Sequence, residues 1–199
     1  MIKFFASKIK VLLILTLFIF YSTNVNADDS EVILEQLKLL QEDIKTLESF
    51  AGKLRESVKG LDKTDFKKTY RKGGMNIAQI IHHYCDTHTY AFLRTKHALL
   101  EVNPNVKMYE VSEFLTTPES NVLDVEDSLN VIEGIHAKWV SLLKTISEDD
   151  FNKTYYHSVR DKNIILHEHV GMYAWHTKHH LVHIEMAKEN IKAKGKRSK

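Results

Sequence analysis

The chain has 199 residues, of which 27% are charged, and its formal net charge at pH 7 is +2. A balance so close to zero argues against a nucleic-acid-binding surface built on bulk positive charge. The chain has few glycines, only two prolines and a single cysteine, so we expect a mostly helical protein without an intramolecular disulfide.

The first 27 residues have the layout of a cleavable secretory signal peptide. Three lysines lie within the first ten residues, an apolar run follows from Val11 to Tyr21, and a small-residue site ends at Ala27. The run is short for a membrane span of about 20 residues. We therefore predict a signal peptide over residues 1–27 and an exported protein, periplasmic or secreted, without stable membrane contact after cleavage. An uncleaved N-terminal anchor is the alternative.

Four long segments after the signal have apolar residues spaced three and four apart, which is typical of amphipathic helices. They span about residues 30–59, 76–101, 122–146 and 165–192. No stretch alternates cleanly enough to be a strand. The two connections that flank the third segment are long, and long connections in compact domains are often functional. The pattern predicts an all-α domain, a four-helix bundle, over residues 28–199.

The second predicted helix has Asn76 as a candidate cap and contains the sequence IIHHYCDTH. This sequence offers His82, His83 and His88 as nitrogen ligands, and Asp86 as a carboxylate ligand or as a group that orients one. The apolar stripe of the helix centres closer to His88 than to His83, and His82 is predicted to face outward. Periodicity alone therefore nominates His88 as a ligand.

The fourth predicted helix contains YAWHTKHHLVHI, with four histidines within eight residues. On a wheel of about 100° per residue, His176 and His180 lie near the middle of the inward face, and His179 lies nearer its edge. Residues four apart stack one turn above the other, so both Nε2 atoms can reach one ion at about 2.1 Å. Interior rings satisfied by their neighbours are the alternative, but several unpaired buried imidazoles would be costly.

In this order, the motifs resemble the YfiT branch of the DinB-like superfamily. The resemblance rests on the segments TYRKGGMNIAQIIHHYCDTHTYAFLRTKHALLEVNPNVKMYE, FNKTYYH and YAWHTKHHLVHI. It implies a four-helix bundle of the metal-dependent hydrolase kind, and some members of this branch are bacillithiol S-transferases. It also implies a metal held by His83, His176 and His180, so that His83 replaces His88 as the ligand. His88 and Arg94 match other recurrent positions and are expected to line the pocket.

Three histidine ligands would leave an open coordination position, as catalytic zinc sites require. An ion there would activate water for hydrolysis, or would bind and deprotonate a thiol, and the ligand set does not choose between these reactions. We expect Zn²⁺, with Ni²⁺ as the alternative. Asp86, Tyr173 and His179 are candidate bases or pocket residues.

The leading functional prediction is an exported metal-dependent hydrolase that acts on a small-molecule substrate. A metal-activated transferase of a low-molecular-weight thiol is the first alternative. The second is a non-catalytic metal- or ligand-binding bundle, whose site would be closed by a fourth ligand from Asp86, His179 or His183. The resembled family is often dimeric, which makes a homodimer a candidate assembly.

Overall fold

The computed structural model describes residues 27–197, and the side-chain surroundings of residues 31–190. The predicted signal peptide lies outside the described residues, except for Ala27. The chain divides into two compact units, one that ends at Gln41 and one that begins at Glu42. Within the described residues, no helix is both long and apolar enough to cross a membrane. The core and the histidines described below belong to the second unit.

Six α-helices lie in the described part of the chain, and the four long ones lie close to their predicted positions. In chain order the helices are α1 (Ala27–Val58), α2 (Lys63–Phe66), α3 (Ile77–Leu100), α4 (Val111–Phe114), α5 (Glu126–Leu143) and α6 (Leu166–Arg197). The short helices α2 and α4 lie in the connections. The prediction of a mostly helical protein is confirmed.

The prediction of an entirely helical domain is wrong in one place, because an antiparallel hairpin precedes α6. Strand β1 (Thr154–His157) pairs with β2 (Lys162–Ile165), and Tyr155 lies opposite Ile164. Each strand has one fully buried side chain, Tyr155 in β1 and Ile164 in β2. Strands of four residues with one inward position each are too short for an alternating pattern to be visible in the sequence.

The start of α3 is fixed by a capping box. The Asn76 side chain accepts from the Gln79 amide at 2.8 Å, and Gln79 Oε1 accepts from the Asn76 amide at 3.1 Å. Both bonds satisfy amide groups that the first turn of a helix leaves without a partner. The predicted cap is therefore present, and it sets the register of the helix that carries His83.

A hydrophobic core joins all four long helices. Its buried members include Phe50 and Leu54 of α1, Ile77, Ile80, Ile81 and Tyr84 of α3, Leu129 and Ile132 of α5, and Ile184 and Ala187 of α6. Tyr84 is fully buried, and its hydroxyl donates to the Thr177 carbonyl at 2.6 Å. Its ring meets the rings of His88, His176 and His180 edge-on. The histidines therefore lie directly against the core.

Candidate metal centre

The structure brings together three histidines from two helices. His83 lies on α3, while His176 and His180 lie one turn apart on α6, and their candidate ligand nitrogens all fall within 4.8 Å of one another. Nε2 of His83 is 3.0 Å from Nε2 of His176. Two nitrogens that share an ion at about 2.1 Å each cannot be more than about 4.2 Å apart, so this pair is already within range.

Burial keeps all three rings neutral at physiological pH. It lowers the pKa of His83 to about 4, of His176 to about 3 and of His180 to about 2, and neighbouring histidines add to the effect at the last two. A histidine must be neutral to donate a lone pair to a metal. The rings are therefore in the protonation state that ligation requires, without displacing a proton at pH 7.

The Nδ1 atom of His83 faces two hydroxyl groups. Tyr109, from the long connection after α3, places its hydroxyl 3.2 Å away, and Thr87, one turn further along α3, places Oγ1 at the same distance. A hydroxyl oxygen can accept a hydrogen bond from Nδ1–H. With an ion bound, the ring would keep its hydrogen on Nδ1 and offer the Nε2 lone pair to the ion. Without an ion, the 3.0 Å contact between Nε2 of His83 and Nε2 of His176 requires one of these two nitrogens to donate.

The Nδ1 atom of His176 is held by a second histidine. It lies 3.0 Å from Nε2 of His88, and Nδ1 of His88 lies 2.8 Å from Nε2 of His136 on α5. His88 is fully buried. It therefore lies behind a candidate ligand, with both ring nitrogens facing other histidines, and its predicted roles as a ligand or a pocket residue stay predictions.

His180 is also held through Nδ1, which lies 3.1 Å from Nδ1 of His183. The ring of His183 stacks on Tyr70 with centroids 3.7 Å apart, and His179 stacks on Trp175 at 4.5 Å. His179, His180 and His183 form a second group of close nitrogens. This second group lies on one helix, includes two half-buried rings and shares His180 with the first group, so it is the weaker candidate.

The group around His83 contains no fourth ligand among the described residues. His183 contacts Nδ1 of His180, and Asp86 is half-buried with its pKa raised by burial and by Glu119. The closed site of the non-catalytic alternative therefore stays a prediction.

His82 contradicts the prediction that it faces outward. It is buried, and its two ring nitrogens lie 2.8 Å from Ser128 Oγ and 3.1 Å from the Val122 carbonyl. Both nitrogens have partners away from the cluster, so the ring has a structural role between α3 and α5.

The predicted pocket residues Arg94 and Tyr173 are both buried. Arg94 Nη1 donates to the Tyr173 hydroxyl at 3.2 Å, and Nη2 donates to the Lys107 carbonyl at 3.1 Å. The Tyr173 ring meets His88 edge-on at 5.3 Å and His176 at 6.1 Å. Arg94 therefore links the long connection after α3 to Tyr173, whose ring packs against His88 and His176.

Sequence reasoning missed three groups that support the cluster, namely Thr87, Tyr109 and His136. Tyr109 lies in the connection whose length indicated a functional segment, so that signal could have found it. His136 is a lone histidine on a helix and has no partner at metal-ligand spacing.

A groove of about 740 Å³, lined among others by Arg55, Asp62 and Leu129, shares no residue with the cluster.

Comparison with known sequences identifies relatives across most of the chain. The family description of the DinB superfamily matches residues 46–184. A protein of Oceanobacillus iheyensis is 37% identical over 146 residues, which are 73% of this chain and 84% of that protein. A protein of Bacillus pumilus is 40% identical over 122 residues, 61% of this chain and 69% of that protein. Both carry the name "Putative metal-dependent hydrolase".

Two solved structures share the fold. YfiT from Bacillus subtilis superposes with a TM-score of 0.74 at 25% identity, over 85% of this chain and 91% of that one. It is described as a probable metal-dependent hydrolase with an unusual four-helix bundle topology. A mycothiol-dependent maleylpyruvate isomerase superposes with a TM-score of 0.59 at 15% identity, over 73% of this chain and 60% of that one. At that identity, the second likeness concerns the fold alone.

Proposed function

The chain belongs to the DinB superfamily, and from that premise we propose that it is a metal-dependent hydrolase whose ion is held by His83, His176 and His180. The observation that carries the proposal is the convergence of three neutral imidazoles whose Nδ1 atoms all have partners. Partners of this kind orient metal-bound histidines and fix their tautomers. The shared description of relatives as metal-dependent hydrolases supports the same proposal.

The donor set suits a catalytic divalent ion. An ion held by three neutral nitrogens would supply Lewis acidity and lower the pKa of water from about 15.7 toward 7. We propose Zn²⁺ because it takes three protein ligands and one open position at such sites, with Ni²⁺ as the second choice for imidazole ligands. The substrate we propose is a small molecule, and the compartment is the periplasm or the exterior.

The protein's own side chains supply orientation and an aromatic surface on one side of the cluster. His176 and His180 are fixed by the backbone of a single helix, and His83 approaches from α3. The buried Tyr84 ring lies against His176 and His180, and its hydroxyl is occupied by the Thr177 carbonyl. Water and substrate must therefore approach the nitrogens from the side opposite to the core.

The first test is the metal content of the purified protein, prepared without chelators or a histidine tag. We expect about one divalent ion per chain, lost in His83→Ala, His176→Ala and His180→Ala. His97→Ala is the matched control, because His97 is an exposed histidine of α3 whose ring contacts Glu101. Retention of metal in His83→Ala with loss in His88→Ala would make His88 the ligand instead. A wild-type protein that is free of metal and takes up none would overturn the proposal.

The second test separates hydrolysis from thiol transfer. The metal-loaded protein is offered ester, amide and phosphoester substrates, and separately an electrophile with and without a low-molecular-weight thiol. Hydrolysis that needs the ion and no thiol is the expected result. Consumption of the electrophile only when a thiol is present would replace the hydrolase with the thiol transferase.

A further inference from the structure

Three hydrogen bonds connect the candidate ligand His176 to a backbone carbonyl of another helix. Nδ1 of His136 lies 2.8 Å from the Leu47 carbonyl, Nδ1 of His88 lies 2.8 Å from Nε2 of His136, and Nδ1 of His176 lies 3.0 Å from Nε2 of His88. Each bond crosses between two helices, so the chain of bonds visits α1, α5, α3 and α6 in turn. We call these three rings and the carbonyl the histidine relay.

The carbonyl at its end fixes the direction of every bond in the relay. A carbonyl oxygen can only accept, so His136 must carry its hydrogen on Nδ1. A neutral His136 then has a lone pair on Nε2, which obliges His88 to donate from Nδ1. By the same step, Nε2 of a neutral His88 is an acceptor and His176 donates to it from Nδ1.

The relay requires neutral rings, and their surroundings provide them. His88 is fully buried and His136 is 2% exposed. Among the described residues, their hydrogen bonds reach only other histidines and the Leu47 carbonyl, and no carboxylate. A charged ring without a counter-ion is costly at such a position, so neither ring keeps a second hydrogen.

Packing prevents the rings from turning to a different pattern. The Phe50 ring stacks on His88 at 5.3 Å and lies 4.8 Å from His136. The fully buried Trp139 meets both histidines with its rings steeply inclined to theirs. These contacts hold the nitrogens of His88 and His136 on the line between Leu47 and His176.

We infer that His88 and His136 are positioning residues, which hold His176 in the tautomer with its hydrogen on Nδ1 and so present the lone pair of Nε2 to the ion. The inference rests on the proposed metal site for its purpose. The relay itself is a property of the protein without metal. If every bond of the relay ran in the opposite direction, the lone pair on Nδ1 of His136 would face the Leu47 carbonyl oxygen, which also has only lone pairs to offer. His176 would then carry its hydrogen on Nε2.

The direct test is nitrogen-15 NMR of the full-length, metal-free protein, because long-range couplings within the ring report which nitrogen carries the hydrogen. We expect His136, His88 and His176 all to be protonated on Nδ1 at pH 7. A hydrogen on Nε2 of His176 would overturn the inference. This result does not depend on whether the protein binds metal or hydrolyses any substrate.

The second test replaces His88 with two residues of similar size. His88→Gln can still accept from His176 with its amide oxygen and donate to His136 with its amide nitrogen, whereas His88→Met can do neither. We expect His88→Met to weaken Zn²⁺ binding about 10- to 100-fold, the range for loss of such a partner, and His88→Gln to recover most of it.

His169→Met is the matched control for this series. His169 is as fully buried as His88 and also contacts a carbonyl, that of Ala91, but its hydrogen bonds do not reach His176. Its substitution should lower stability and leave the affinity for Zn²⁺ unchanged. Equal affinities in His88→Met and the wild type would refute the inference while leaving the three-histidine metal site intact. Loss of metal affinity in His169→Met as large as in His88→Met would likewise refute it, because a general loosening of the core would then explain both.

Discussion

At the scale of single residues, the partners of the ring nitrogens decide what each buried histidine can do. His83 and His88 both lie on α3, and only their ring neighbours separate a candidate ligand from a positioning residue. His83 faces hydroxyl groups and the rings of α6, whereas His88 faces a histidine on each side. Identical side chains on one helix therefore carry different roles, and the difference comes from the partner of the second ring nitrogen.

Tyr109→Phe tests the partner of His83. The change removes one of the two hydroxyl groups that lie near Nδ1 of His83 and preserves the ring that packs against Phe114. We expect Zn²⁺ affinity to fall by up to about 10-fold, because Thr87 still offers an acceptor. Competition with a chromophoric chelator measures this. Tyr90→Phe is the control, since the Tyr90 ring packs beside Tyr109 and its hydroxyl forms no hydrogen bond with His83. An unchanged affinity would mean that Thr87 alone holds the ring.

The residues of the cluster were not equally predictable from sequence. His176 and His180 were found by helical spacing, because α6 has a clear inward face at that point. His83 was found only through the family resemblance. The reason is that His82, His83 and Tyr84 are all buried in succession, since α3 packs against both α5 and α6. A helix covered on several sides has a broad apolar face, and periodicity then loses its power to select one residue.

At the scale of elements, the hairpin is a support for α6. Tyr155 of β1 is fully buried, and its hydroxyl lies 2.8 Å from Nδ1 of His169 on α6. Nε2 of His169 faces the Ala91 carbonyl at 3.2 Å, so it carries the hydrogen and Nδ1 is the acceptor. The Tyr155 hydroxyl therefore donates, and β1 becomes tied to the helix that carries His176 and His180.

Tyr155→Phe should destabilise the protein by about 1–3 kcal/mol, because it leaves the buried Nδ1 of His169 without a donor. Urea unfolding followed by circular dichroism gives the change in the free energy of unfolding. Tyr156→Phe is the matched control, because this neighbouring hydroxyl bonds to Asp161 at the surface. The assignment of the donor would be contradicted if the two variants lost the same amount.

The hairpin also shows why element prediction from the sequence was incomplete. The four long helices repeat their apolar spacing over many turns, so their positions were predictable. Each strand offers a single inward side chain, and its pairing partner lies across a turn at Asp161, where φ is +48°. The information that makes these residues a sheet is therefore in tertiary contacts with α6, which no local pattern contains.

At the scale of the whole molecule, the buried histidines make the fold sensitive to acid. Burial lowers the pKa of His136 to about 4 and of His169 to about 3, against about 6.5 in an unfolded chain. Between pH 6.5 and about 4, these histidines therefore bind protons in the unfolded state but not in the folded state. Stability is unaffected above pH 6.5 and falls as the pH decreases through that window.

The metal-free protein should lose up to about 1.4 kcal/mol per pH unit for each such histidine below pH 6.5. Urea unfolding at intervals between pH 7.5 and 5 measures the slope. His136→Gln should reduce the slope by the contribution of one histidine, whatever its effect on stability at pH 7. A free energy of unfolding that stays constant from pH 7.5 to 5 would contradict the burial of neutral histidines.

Metal should stabilise the molecule as a whole, because its proposed ligands come from two helices and converge only in the folded state. An ion at 100 times its dissociation constant would add about 2.7 kcal/mol. For a chain of this length we expect a rise of about 5–10 °C in the melting temperature on adding Zn²⁺, reversed by a chelator. His83→Ala should show no such rise, and a rise of the same size there would place the ion elsewhere.

The two tryptophans of the chain differ completely in their surroundings. Trp139 is fully buried and donates from Nε1 to Thr95 Oγ1, whereas Trp175 is 61% exposed and stacks on His179, the neighbour of His180. The protein therefore carries two intrinsic fluorophores that a soluble quencher such as acrylamide can separate. Emission from Trp139 follows the integrity of the core, and emission from Trp175 follows events beside the histidine cluster. Ligand binding and unfolding can then be followed separately in one unlabelled sample.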